Sequence, residues 1–161
     1  MNKFIAGILS FFLWLMPWWY GLSGLRERLT FDRDAVMTKI INCVESQDVA
    51  GLESMMRTWF KTNEPDLTAK IQQFYDAING DIINMRKGAE GSRSDGGIYS
   101  EDLRFIIDTD EPEHYYLQMW YAVSNGTNRN DLGISTIVLA TGLVGAPDRV
   151  IHFDLRAPEF Q

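Results

Sequence analysis

His114-Tyr115-Tyr116-Leu117-Gln118-Met119-Trp120-Tyr121-Ala122-Val123 is the stretch whose reading decides the fold. It holds no glycine or proline, and it is rich in aromatic residues that favour strands. Side chains alternate across a strand, so the stretch divides into two faces. Tyr115, Leu117, Met119, Tyr121 and Val123 form an apolar face, which reads as core. His114, Tyr116, Gln118, Trp120 and Ala122 form a face of rings with polar tips, suited to a pocket wall or a half-wet surface.

Working outward, the same alternation extends in both directions. Asp81 to Lys87 reads as a first strand, and Gly88 to Gly97 as a turn-rich loop. Ile98 to Asp108 reads as a second strand, with Tyr99, Leu103, Phe105 and Ile107 on or near one face. Asp110-Glu111-Pro112 turns the chain into the aromatic strand, and Asn125-Gly126 is a strong turn signal after it. Asp131 to Thr141 is rich in β-branched residues and reads as a further strand. Gly142 to Pro147 turns, Val150 to Leu155 is the last strand, and Arg156 to Gln161 is a tail.

Upstream of Gly80 the period is helical. Val36, Ile40, Cys43 and Val44 stripe a first helix, with Thr30 or Asp32 as its N-cap. Asp48 caps a short second helix with Val49, Leu52, Met55 and Met56 on one side, and Trp59 and Phe60 follow as a plug. Asn63-Glu64-Pro65 opens a third helix, with Asn63 as its cap and Pro65 in its first turn. Leu67, Ile71, Phe74 and Ile78 stripe it, and Asn79-Gly80 stops it. Three helices and then a meander of four or five strands predict an α+β fold, the helices packed on a curved antiparallel sheet. Such a sheet wraps into a cone whose open end is a natural pocket.

Composition bounds the partners. The chain has 161 residues, enough for a full core, and a formal net charge of −7. That charge argues against nucleic acid, which needs a basic stripe to displace counterions. It also argues against docking of the folded part on anionic lipid. Cys43 is the only cysteine, so an intramolecular disulfide is impossible.

Residues 4–25 carry no charge. Two readings stay open for residues 1–29. One is a signal peptide, with an apolar stretch from Phe4 to Met16 and a small-x-small site at Gly21-Leu22-Ser23. The other is a membrane anchor of roughly 33 Å, with Trp18, Trp19 and Tyr20 as an interfacial belt. Leu22-Ser23-Gly24 also begins a lipobox, but Leu25 stands where the lipidated cysteine belongs. The flanking charges, Lys3 against Arg26 and Arg28, do not orient an anchor, but the signal-like layout places the domain of residues 30–161 outside the cytoplasm, held at the cell membrane or secreted after cleavage.

From Asp32 to Leu155 the chain resembles an uncharacterised family of predicted bacterial lipoproteins, mostly from Firmicutes, with a nuclear-transport-factor-2-like (cystatin-like) domain. The resemblance is carried by Asp48-Val49-Ala50-Gly51-Leu52-Glu53-Ser54-Met55-Met56 and by Asp66-Leu67-Thr68-Ala69-Lys70-Ile71 leading to Asn79-Gly80-Asp81. It is also carried by the aromatic strand and by Asn130-Asp131-Leu132-Gly133-Ile134. It implies a cell-envelope protein and leaves the activity open, because the wider superfamily mixes isomerases, dehydratases and binding modules. It also implies a homodimer formed through the sheet.

No catalytic spacing stands out. A proton-transfer site in the cone would draw on His114, Tyr116 and Trp120, on acids from Asp102, Asp108 and Asp154, and on Tyr75 from the third helix. His114 and His152 are the only histidines and do not form a ligand-spaced pair, so neither a metal nor a cofactor is expected. Asp108-Thr109-Asp110-Glu111 clusters oxygens but lacks the glycine and the distal acid of a calcium loop, and reads as a solvated turn. The expectation is a non-enzymatic domain that binds a small ligand or a protein partner through a pocket lined by Tyr75, His114, Tyr116 and Trp120. The competing expectation is an enzyme of isomerase or dehydratase type in the same cone.

Overall fold

The computed structural model describes residues 27–95, 97–126, 128, 130–142 and 148–158. The chain divides into two units, Met1–Phe31 and Asp32–Gln161. The apolar segment of residues 4–25 lies outside the described residues. Among those described, no helix is long and apolar enough to cross a membrane.

The second unit begins with four short helices. Helix α1 (Arg33–Glu45) starts at Asp32, whose carboxylate accepts the Ala35 N–H at 2.9 Å. Asp32, not Thr30, is therefore the cap. Met37, Ile40, Cys43 and Val44 face the core at helical spacing. Helix α2 (Val49–Met55) starts at Asp48, whose carboxylate accepts the Gly51 N–H at 2.9 Å. Gly51 is required at this corner: a Cβ there would lie 2.8 Å from Cys43 Sγ and 2.2 Å from the Asp48 carboxylate.

Three helical expectations need correction. The Trp59-Phe60 plug is itself a helix, α3 (Thr58–Asn63), so the unit has four helices where three were predicted. Asn63 does not cap the following helix. Its side chain donates to the Trp59 carbonyl at 2.8 Å and closes α3 instead. Pro65 stays outside α4 (Leu67–Asp76), which buries Leu67, Ile71, Phe74 and Tyr75.

The sheet is a five-stranded antiparallel meander, β1-β2-β3-β4-β5 in order. Strands β1 (Ile82–Asp95), β2 (Ile98–Thr109), β3 (His114–Asn125), β4 (Gly133–Thr141) and β5 (Val150–Arg156) pair in sequence, with β3 in the middle. The stretch Gly88–Asp95, expected as a loop, is the second half of β1. A register shift between Lys87 and Glu90 absorbs Gly88 and Ala89 as a bulge, and pairing resumes to Asp95. Glycine and serine hid this strand, because an edge strand with a bulge tolerates residues that a central strand does not.

Register turns the alternation into rows. Phe105, Leu117, Leu139 and Phe153 align across β2 to β5, and Leu103, Met119, Ile137 and Leu155 form the next row. These rows join Met37, Ile40, Phe60, Ile71 and Phe74 of the helices in one core. The other face carries Ile106, Tyr116, Ala140 and Ile151, then Arg104, Gln118, Val138 and Asp154, then Asp102, Trp120, Thr136 and Arg156. This second face lies outside the core shared with the described helices, although its small residues Ala140, Thr136 and Val138 are buried.

Besides ion pairs from α1 to β1 and β2, two joints tie the helices to the sheet. In the first, Met56 bridges Ile134 in parallel, and the Arg57 N–H donates to the Ile134 carbonyl at 3.1 Å. Gly133 makes the approach possible: its φ is +122°, and a Cβ would lie 2.4 Å from the Met55 carbonyl oxygen. Beside it Arg57 pairs with Asp131, both side chains under one-tenth exposed, and Asp131 also accepts the Trp59 N–H at 2.9 Å. In the second, Asp110 and Asp81 exchange main-chain and carboxylate bonds at 3.0 and 2.7 Å, and the Tyr115 hydroxyl accepts the Asn79 N–H at 3.0 Å. The segments Asp48–Met56, Asn79–Asp81 and Asn130–Ile134 are thus joints between helix and sheet.

Candidate functional site

Alternation along β2 and β3 places Arg104, Ile106, Tyr116 and Gln118 side by side on the open face of the sheet. The β1 bulge brings Gly88 and Ala89 beside them, and Arg149 arrives from the turn before β5. Together these residues line a cleft of about 300 Å³. Phe105 and Leu117, whose side chains point to the helices, present main chain to it. Gly88 sits close against β2, where a Cβ would meet the Arg104 carbonyl oxygen at a tight 3.2 Å.

The floor beside the cleft is an ordered polar network. Asp102 is 2 % exposed. Its carboxylate accepts Arg104 Nε at 2.9 Å and Nη2 at 2.6 Å on one oxygen, and Gln118 Nε2 at 2.9 Å on the other. A buried carboxylate needs such partners, since leaving it unpaired costs several kcal/mol. Arg149 is different. Its Nε is buried and has no hydrogen-bond partner. Among the described residues no acid lines the cleft, and two arginines line it within a chain of net charge −7.

The four residues expected to share a pocket do not come together. Tyr75 lies on the helix side, 2 % exposed. Its hydroxyl stands 3.1 Å from the Cys43 carbonyl oxygen and 3.4 Å from that of Asp48, so it fastens the α1–α2 corner to α4. Burial pushes its pKa well above the ordinary tyrosine value. His114 lies at the far end of the open face, exposed, with Nδ1 2.8 Å from Asp108 Oδ1. Trp120 stands opposite Asp102 and Thr136, one row beyond the cleft. Only Tyr116 lines it.

The acids considered for proton transfer are each held by an arginine. Asp102 has Arg104, and Asp154 accepts Arg156 Nε at 2.6 Å. Asp108 accepts Arg86 Nε at 3.0 Å, and that bond holds its carboxyl below the usual carboxylate range. A general acid needs the opposite shift. His152 is remote from His114 in role: it stacks edge-on against Tyr115 and stands 3.0 Å from Thr141 Oγ1. Among the described residues no group of three or more histidine, cysteine or acidic side chains could hold a metal ion.

Sequence reasoning missed Arg104, Gln118, Gly88 and Arg149 as cleft residues. Arg104 and Gln118 were within reach, since period two puts them beside Ile106 and Tyr116. Gly88 was hidden by the bulge, and no local signal marks Arg149.

A family model for a domain of unknown function, DUF5104, matches residues 39–142. The chain belongs to the DUF5104 family. The DUF5104 match runs from the middle of α1 to the end of β4. It takes in both helix–sheet joints and every cleft residue except Arg149, which lies beyond it. No curated protein matches the chain.

Proposed function

We propose that this DUF5104 domain is a non-enzymatic binding module that takes a ligand or partner on the open face of its sheet. The observation that carries the reading is the division of the sheet. The helix side is closed by apolar packing from Met37 to Leu155, whereas the open side holds the cleft between Arg104, Tyr116 and Arg149. A proton-transfer enzyme would call for a converging acid and a tyrosine or histidine in one enclosed space. Here Tyr75 and Tyr116 belong to opposite faces, and Asp102, Asp108 and Asp154 are engaged by arginines.

The plan of helices on a curved meander is in keeping with a nuclear-transport-factor-2-like domain. We place the domain at the bacterial cell envelope, outside the cytoplasm, with the uncharged segment of residues 4–25 as anchor or signal. Fractionation of cells carrying a C-terminal tag, with protease added outside, tests that placement, and a protected cytoplasmic tag would sink it.

Binding is tested by titrating a panel of neutral and charged small aromatic and aliphatic compounds into the isotope-labelled full chain. Saturable amide shifts should cluster at Gly88, Ala89, Ile106 and Gln118. Shifts centred on Phe74, Tyr75 or Met119 would place the ligand on the helix side and overturn the reading. Sedimentation of the same sample tests whether two copies pair through the sheet.

A further inference from the structure

The cleft has a chemistry that narrows its occupant. Its polar groups are cations and neutral donors: Arg104, Arg149, the Tyr116 hydroxyl and the Gln118 amide. Its remaining lining is Ile106, Ala89, Gly88 and the main chain of Phe105 and Leu117. Arg104 is largely neutralised, because Asp102 takes its Nε and Nη2. Arg149 has no such partner, and its Nε is shielded from water as well. Burying a guanidinium N–H without an acceptor is unfavourable. An acid group entering the cleft meets the guanidinium at its terminal nitrogens, where the planar fork of arginine matches a carboxylate with two parallel bonds. The volume of about 300 Å³ sits at the lower end of the range for small-molecule pockets, which points to a compact ligand.

We propose that the cleft binds a small monocarboxylic acid with a short or flat apolar body. The carboxylate is held by Arg149, with the Tyr116 hydroxyl as a second donor, and the body lies against Ile106 and Ala89. Arg104, neutralised by Asp102, serves as a fixed part of the wall, and Gln118 steadies Asp102 from its other oxygen. This proposal rests on the open sheet face being a binding surface, and it adds the sign and shape of what binds.

The test uses 3-phenylpropanoate, its primary amide 3-phenylpropanamide and inorganic phosphate, each titrated into the labelled full chain and into Arg149→Gln. The carboxylate should give saturable shifts at Gly88, Ala89 and Ile106. The amide, which keeps the body and loses the charge, should bind about tenfold more weakly, the usual scale for one charge-assisted pair. In Arg149→Gln the carboxylate should fall to the level of the amide, with an unchanged melting temperature, since Arg149 holds no other protein group. Equal affinities for acid and amide, indifferent to Arg149→Gln, would overturn the acid assignment while leaving the cleft a binding surface. Phosphate binding as tightly as the carboxylate would overturn the apolar half of the proposal. Silence of the cleft to all three probes would overturn the acid assignment, and the wider panel then decides the surface independently.

Discussion

The two faces of β3 are built from the same ten residues by opposite means. Toward the helices Tyr115, Leu117 and Met119 are at most 1 % exposed, and Leu117 and Met119 meet apolar neighbours on both β2 and β4. Toward the open side His114, Tyr116, Gln118 and Trp120 are exposed or half-buried, and their neighbours mix the charged Asp108, Arg104 and Asp102 with Ile106, Ala140 and Val138. The first face is specified by area and shape. The second is specified by pairing, with Asp102 joined to Arg104 and Gln118, and Asp108 to Arg86 and His114. Substitutions on the first should therefore act on folding, and substitutions on the second chiefly on recognition.

The most severe test is Leu117→Asp. A carboxylate at this position would stand between Phe105 and Leu139, and burying it unpaired costs several kcal/mol, a large share of the roughly 5–15 kcal/mol that holds an ordinary domain together. Thermal unfolding followed by circular dichroism should lose its cooperative transition. A variant that melts within a few degrees of the wild type would break the division of faces outright.

Next in size is the buried pair that joins helix to sheet. Arg57→Met leaves Asp131 buried with only the Trp59 N–H, and breaking a buried pair from one side typically costs about 3–5 kcal/mol. Urea denaturation should show that loss, and Arg57→Met with Asp131→Leu should recover part of it. A double variant worse than the single one would mean that the hydrogen bond to Trp59, not the charge pair, is the important contact. On the open face the Arg86–Asp108 pair offers a contrast, since Arg86 is exposed and screening by water weakens such a pair.

This pair also marks where the sequence stopped being informative. Helix stripes and strand alternation are local patterns, and they placed Ile40, Leu52, Ile71, Leu103 and Leu117 in the core correctly. Arg57 and Asp131 are 74 positions apart, and no periodicity ties them. The segment Asn130–Ile134 was legible as a family pattern, but its physical role, a joint permitted by the φ of Gly133, was not. Tyr75 shows the same limit from the other side. Its helical position was read, yet whether a tyrosine at that position enters a pocket or fastens a corner depends on carbonyls contributed by Cys43 and Asp48. The cleft was half legible for the same reason: β2 and β3 supply Arg104 and Tyr116 by alternation, while a bulge and a distant turn supply Gly88 and Arg149.

Tyr75 gives a smaller, pH-dependent effect. Its folded pKa is raised above the ordinary value of about 10, and the cause is burial. Below that pH both folded and unfolded forms hold the proton and Tyr75 adds no pH dependence. As pH rises past it, the unfolded chain releases the proton first, so stability falls with increasing pH until the folded group titrates. Tyr121, whose pKa burial also raises, contributes with the same sign. Tyr75→Phe should cost about 1 kcal/mol at neutral pH for the lost hydrogen bond and should flatten the alkaline decline. Urea midpoints measured from pH 7 to pH 11 compare the two slopes. Parallel slopes would mean that the hydroxyl already titrates as it does in water, against its place in the core.

The smallest effect probes the open face itself. Alternation alone makes Gln118→Ala neutral, because it puts the side chain on the face without a core. The structure revises this, since Gln118 Nε2 donates at 2.9 Å to Asp102, a carboxylate buried beneath it. Arg104 still holds the other oxygen, so the loss should be about 1 kcal/mol, the net value of one hydrogen bond, and not the full penalty of an orphaned charge. A double-mutant cycle of Gln118→Ala with Asp102→Asn, read from urea midpoints, isolates that bond. A coupling of zero would assign Asp102 to Arg104 alone and make Gln118 free to meet a ligand. A loss approaching that of Leu117→Asp would mean that the open face, too, is held by packing, and the contrast between the two sides of β3 would fail where it is most exposed.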